Sequence, residues 1–221
     1  MKLFKQGSVF GAALLISTVL ASAETIQLGS YQTGGPNLGN NNTAVAFVGS
    51  PTTTYALDPG VLWAAAGPNS VWVSNNPGSG PGGGVVQAAG NYSYTTTFNT
   101  LTGSAYTGFI WVLADDTTAI TFNGHTLQGV GALGSDVHCG DGAPNCRTPT
   151  LINLPSAFFL TGLNTLQFDL EQTIASSGLD FYGSANGEVG STSSVPETGT
   201  LFLLGTGLIG SAGLLMRKAR V

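Results

Sequence analysis

The two cysteines of the chain, Cys139 and Cys146, stand close together in His138-Cys-Gly-Asp-Gly-Ala-Pro-Asn-Cys146. In an oxidising compartment such a pair closes a disulfide that pinches a loop. A structural zinc would ask for four convergent ligands, and only His138 is adjacent. The same segment holds Asp136, Asp141 and Asn145. Their oxygens, with the carbonyls of a Gly-rich loop, are the hard ligands that calcium takes. Asp115-Asp116 is a second acidic pair of that kind. Neither group has the spacing of an EF-hand loop, and Asp side chains commonly bond nearby backbone N–H groups in turns. Calcium is therefore the one cofactor that the sequence leaves open.

Arg147 is the single base between Glu24 and Glu197. Its guanidinium suits a local pair with Asp141 or Asp136, or else the carboxylate of an acidic sugar. Trp63 and Trp72 flank loop segments and offer flat faces on which sugar rings can stack, whereas Trp111 lies in an apolar run and is assigned to the core. Catalysis finds little support. His125 and His138 are the only histidines, and no nucleophile elbow, zinc-protease helix or phosphate-cradling loop occurs. Asp169 and Glu171 share one strand face, but a glycosidase pair is defined by a separation that no sequence fixes. The expectation is a protein that is not an enzyme.

Charge placement excludes further classes. Of 221 residues only 8 % are charged, with a formal net charge of −5. Lys2 and Lys5 open the chain and Arg217, Lys218 and Arg220 close it, so eleven acids face one base between Glu24 and Glu197. A body near −10 cannot neutralise a phosphate backbone, so nucleic acid is excluded as a partner. The same sign argument excludes binding of the body to an anionic membrane surface.

The two ends read as addresses. Residues 1–23 carry a basic start, the apolar run Val9–Leu20 and the small residues Ala21-Ser22-Ala23 before Glu24. That order is a secretory signal, with signal peptidase cutting between Ala23 and Glu24. At the other end, a Ser/Thr-rich linker at 190–194 leads into Val195-Pro196-Glu197-Thr198, then the uncharged run Gly199–Met216, then Arg217, Lys218 and Arg220. Eighteen helical residues reach about 27 Å, enough to cross the hydrocarbon layer, and the basic tail would stay on the cytoplasmic side. In its four-part order, segment 195–221 resembles the PEP-CTERM sorting signal, with Thr198 where that family usually has Pro. The resemblance implies recognition and removal of the tail by exosortase. It also implies a place on the surface, or in the extracellular polysaccharide, of a Gram-negative bacterium.

Between the addresses, residues 24–189 read as one all-β domain. Tyr92, Tyr94, Thr96 and Phe98 alternate with smaller polar residues, and Leu166, Phe168 and Leu170 alternate with Gln167, Asp169 and Glu171. Gly108–Leu113 is apolar on both faces, as a central strand is. Ala119–Phe122, Asn123-Gly124 and His125–Leu127 form a hairpin signal, because Asn-Gly tolerates a type I′ turn. Further strands are expected at Thr25–Leu28, Thr43–Val48, Val71–Val73 and Leu179–Tyr182, with loops such as Asn75–Gly84 between them. Such a pattern predicts an antiparallel two-sheet sandwich. Phe109-Ile-Trp-Val-Leu-Ala-Asp-Asp116, Ile120-Thr-Phe-Asn-Gly124 and Leu160-Thr-Gly-Leu-Asn-Thr-Leu-Gln-Phe168 together resemble the galactose-binding-like jelly roll. The functional expectation is a structural or adhesive protein associated with extracellular polysaccharide. A carbohydrate-binding module with a defined glycan site is the alternative, and a secreted polysaccharide-processing enzyme is a more distant one.

Overall fold

The computed structural model describes residues 24–33, 44–47, 50–102, 104–134, 139–173 and 175–189. In chain order the strands are β1 (Glu24–Gly29), β2 (Ala44–Phe47), β3 (Ser50–Thr52), β4 (Tyr55–Leu57), β5 (Trp72–Ser74) and β6 (Gly90–Thr100). They continue with β7 (Ser104–Asp115), β8 (Thr117–Phe122), β9 (His125–Gln128), β10 (Thr150–Leu154), β11 (Gly162–Gln172) and β12 (Gly178–Val189). One 3₁₀ turn at Ser156–Phe158 is the sole helical element among the described residues. No helix among them is long and apolar enough to cross a membrane. The expected signal helix and the span 199–216 lie outside the described residues.

Two antiparallel sheets result. The first runs β10-β7-β12-β5-β4, with β1 also paired to β12; the second runs β3-β2-β6-β11-β8-β9. Side-chain alternation explains how they close on each other. In the second sheet Leu166, Phe168 and Leu170 of β11 pair with Thr96, Tyr94 and Tyr92 of β6, and all six side chains are buried. From the first sheet Tyr106, Ile110, Val112, Leu179 and Phe181 meet them in one apolar cluster, where Phe168 and Phe181 stack at 4.7 Å. A one-residue slip in β11 would turn Gln167, Asp169 and Glu171 into that cluster, so the register is fixed by burial.

The hairpin forms as expected. Asn123 and Gly124 take φ of 48° and 81°, the left-handed pair that a type I′ turn needs. Its Asn does a second job: Asn123 Nδ2 donates to Phe158 O (2.7 Å) and to Asn164 Oδ1 (2.8 Å), and Asn123 Oδ1 accepts from the Thr165 N–H (2.8 Å). Asn164 is fully buried and ties the turn at 160–162 to the end of β6. The two Asn motifs of the sequence thus meet as one polar knot at the mouth of β11.

Candidate functional site

The outer face of the first sheet is covered at one end and open at the other. At the covered end, segment 58–70 folds back over β7 and β5. Trp63 and Trp72 are buried there, 4 % and 0 % exposed, with ring centroids 4.3 Å apart, and they pack with Leu57, Leu113, Cys139 and Cys146. Two buried carboxylates pin this cover. Asp115 Oδ2 accepts from Trp63 Nε1 at 2.7 Å, and Asp180 accepts from the Gly67 N–H (2.8 Å) and from Ser30 Oγ (2.8 Å). The cover lies close enough that a Cβ on Gly178 would come within 2.8 Å of the Trp63 ring. Burial raises Asp180 above the usual carboxylate range. Burial, then the neighbouring Asp116, pushes Asp115 up to about 8 against the opposing Trp63 hydrogen bond, and Asp141 adds to the rise.

This arrangement corrects the sugar-platform reading of Trp63 and Trp72. Their faces are spent on each other and on the cover, and Trp72 Nε1 donates to Ala64 O at 3.0 Å. Loop position alone suggested accessibility; burial under a loop that returns to the sheet is what occurs.

The disulfide loop belongs to the same cover. Cys139 and Cys146 are joined, as the sequence predicts, with Cα atoms 5.2 Å apart. Cys146 O accepts from the Ala64 N–H (2.8 Å), and Asn145 O from the Ala114 N–H (3.3 Å), so the loop is stitched both to segment 58–70 and to β7. Asn145 does not present its side chain to a metal: its Oδ1 accepts from the Arg147 and Thr148 N–H groups and its Nδ2 donates to Asp141 O. Asp141 is turned inward, its Oδ1 accepting from the Gly134 N–H at 2.6 Å, and lies with Asp115 and Asp116. Arg147 is exposed at the outer end of the loop. Asp136, the sorting residues Val195, Pro196, Glu197 and Thr198, the basic residues Arg217, Lys218 and Arg220, and Ala21 and Ala23 lie outside the described residues. Glu24 opens β1, and its carboxylate accepts from the Tyr106 hydroxyl.

The open end is a groove of about 400 Å³ lined by Thr107, Gly108, Phe109, Trp111, Leu151, Asn153 and Asn186. Register places these side chains in rows. Leu151, Trp111 and Tyr182 stand side by side across β10, β7 and β12; Asn153, Phe109 and Ser184 form the next row; Thr107 and Asn186 the third. Rows two residues apart lie about 7 Å from each other along the strands. Phe109 is 37 % and Leu151 45 % exposed, Trp111 is half-buried, and Thr107, Asn153 and Asn186 are exposed. The assignment of Trp111 to the core is thereby corrected. Ile110 and Val112 face the core, so Trp111 between them faces outward, beyond the point where the cover stops. The groove is apolar on its floor, amide- and hydroxyl-lined at its sides, and without a charged residue in its lining. A smaller hollow of about 240 Å³, lined by Asp58, Gly60, Pro77, Gly80, Gly82 and Gly83, has neither aromatic nor amide.

Phe109, Leu151, Asn153 and Asn186 were not singled out by the sequence reading. The signal that could have found them is parity: once Tyr106, Ile110 and Val112 are core, Thr107, Phe109 and Trp111 must share the other face.

No protein-family model matches the chain, and no curated relative was found for it. Among solved structures, the native structure of a family 35 carbohydrate binding module from Clostridium thermocellum aligns with 74 % of this chain and 98 % of its own. The identity is 11 % and the TM-score 0.35, a likeness that adds nothing to the strand order given above.

Proposed function

We propose that this chain is an exported surface or matrix protein that holds extracellular polysaccharide through the open half of its first sheet, in a structural or adhesive role and without catalysis. The observation that carries the reading is the uncovered pair Trp111 and Phe109, neighbours along β7, flanked by Thr107, Asn153 and Asn186. A pyranose ring presents C–H groups on its faces and hydroxyls at its rim. An aromatic floor matches the first, and amides and hydroxyls at the sides match the second. The uncharged lining favours neutral sugars. Arg147, the candidate handle for acidic ones, is not among the lining residues. Of the three readings left open by the sequence, a defined glycan site is the one this groove favours. No carboxylate lines the groove, whereas glycoside hydrolysis ordinarily uses two.

Export rests on the signal-like residues 1–23, the resemblance of 195–221 to a PEP-CTERM tail, and a disulfide suited to an oxidising compartment. Signal peptidase and exosortase are the processing partners in this reading. The C-terminal span then holds the chain in the inner membrane until it is sorted. The test is a glycan array probed with the mature body and with Phe109→Ala and Trp111→Ala. Binding to neutral oligosaccharides that both substitutions abolish, with the far-UV spectrum unchanged, supports the reading. An array on which no glycan binds, or on which both variants bind like the parent, overturns it.

A further inference from the structure

We infer that Asp115, Asp116 and Asp141 form a calcium site that clamps the cover of the first sheet to the β7–β8 corner. Asp115 closes β7, Asp116 leads into β8, and Asp141 comes from the disulfide loop. One carboxylate oxygen from each lies within 4.8 Å of the other two, and all three residues are buried. Acidic groups this close repel one another in a low-dielectric setting unless a cation or a proton intervenes. The only lysine or arginine between Glu24 and Glu197 is Arg147, and it is exposed.

A second observation points to a ligand. Asp115 is fully buried, and its Oδ1 has no hydrogen-bond partner, although its Oδ2 is held by Trp63 Nε1 at 2.7 Å. A buried oxygen in that condition is costly unless something binds it. Donors also hold the other two carboxylates. Asp116 Oδ2 accepts from the Thr173 N–H and Thr173 Oγ1, both at 2.6 Å, and Asp141 Oδ1 accepts from the Gly134 N–H. At Asp115 and Asp116 the donors sit on Oδ2, and donors that grip one oxygen and orient the other are what outer-shell groups do around a metal.

The chemistry selects the ion. Cys139 and Cys146 also lie beside Asp115, but their sulfurs are joined and offer no thiolate, so zinc has no soft ligand here. An all-oxygen set of three carboxylates suits calcium, which tolerates irregular geometry, better than magnesium, which demands a near-ideal octahedron. Bound there, the ion would join three chain segments at once: the end of β7, the disulfide loop and, through Trp63, segment 58–70. This inference does not depend on the glycan reading.

Trp63 supplies the assay, because its indole touches the proposed site and can sensitise terbium luminescence. Terbium added to the chelator-stripped protein should give tryptophan-excited emission that calcium displaces and equimolar magnesium does not. Calcium at about 1 mM, in the range of extracellular modules, should raise Tm by about 4 °C or more over chelator. Asp141→Asn should weaken calcium affinity about 10-fold or more. If Asp141→Asn fails to fold, Asp116→Asn and the wild-type calcium titration decide the matter. A Tm that is the same in chelator and in calcium, with no displaceable terbium emission, overturns the inference. So does an Asp116→Asn protein that is stabilised equally in both buffers, the behaviour of a pair that shares a proton instead of a metal.

Discussion

Asn164 offers the sharpest test of how the sandwich is held, because its five hydrogen bonds are not of equal worth. Its Nδ2 donates to Leu160 O (2.9 Å), Gly162 O (2.8 Å) and Thr100 Oγ1 (3.2 Å). Its Oδ1 accepts from the Leu160 N–H (2.9 Å) and from Asn123 Nδ2 (2.8 Å). In Asn164→Ala several of these partners keep a second bond. Leu160 O and Gly162 O still face Thr100 Oγ1, and Asn123 Nδ2 still reaches Phe158 O. The Leu160 N–H loses its acceptor, Asn164 Oδ1. One orphaned donor at about 2 kcal/mol, plus about 0.5 kcal/mol for each of the other four bonds, gives a loss of about 4 kcal/mol. That is a large part of an ordinary domain's stability, and corresponds to a fall of about 10 °C or more in Tm. Asn164→Asp keeps the acceptor but places a buried carboxylate against two carbonyl oxygens, and should be worse than Ala at neutral pH. Its carboxyl pKa in the folded state must then lie above the unfolded value. The folded variant binds the extra proton, so its deficit shrinks as pH falls through that raised pKa. Urea melts of the three proteins at pH 7 and pH 4 measure this. Variants within about 1 kcal/mol of the parent at both pH values would refute the argument that this knot closes the end of β11.

Other consequences are equally direct. Replacing Cys139 and Cys146 together by Ser should cost about 2–3 kcal/mol in urea melts, the chain-entropy value for so short a loop, while the far-UV spectrum keeps its β signature. Asp115, held at about 8 against its ordinary 3.8, binds a proton in the native state that the unfolded chain has already lost. Its contribution is therefore complete below the unfolded value and lost as pH rises through about 8, so in chelator the urea midpoint should fall between pH 5 and pH 9. Asp115→Asn, neutral throughout, should flatten that slope; a slope unchanged by the substitution would assign it to another group. Intact-mass analysis of protein released from the cell surface should give an N-terminus at Glu24 and loss of the Gly199–Val221 segment. A mature chain that retains this segment would make the tail a plain anchor.

What was legible in the sequence follows from the range of the interaction involved. Leu166, Phe168 and Leu170 against Gln167, Asp169 and Glu171 announce a strand with one buried face, and Asn123-Gly124 announces its hairpin, because both signals are local. β7 is different. Gly108–Leu113 is apolar on both faces, so it reads correctly as central but conceals which residues look outward, and Trp111 is misassigned for that reason. Trp63 and Trp72 fail for another. What buries them is a loop whose anchor, Asp115, lies 52 residues from Trp63, a contact that no local pattern encodes. The acidic groups show the same effect. Asp115-Asp116 and Asp141 read as two separate clusters in the sequence, and folding makes them one, while Asn145 is diverted to shaping its own turn.

The central claim is that sugar binds across the outer rows of β10, β7 and β12. Backbone amide shift mapping during titration with an oligosaccharide that binds on the array tests it most directly. The account predicts perturbations at Thr107, Phe109, Trp111, Leu151, Asn153 and Asn186, and quiet resonances across the second sheet. Perturbations confined to β6 and β11, or to the Gly-rich segment 77–84, would contradict it.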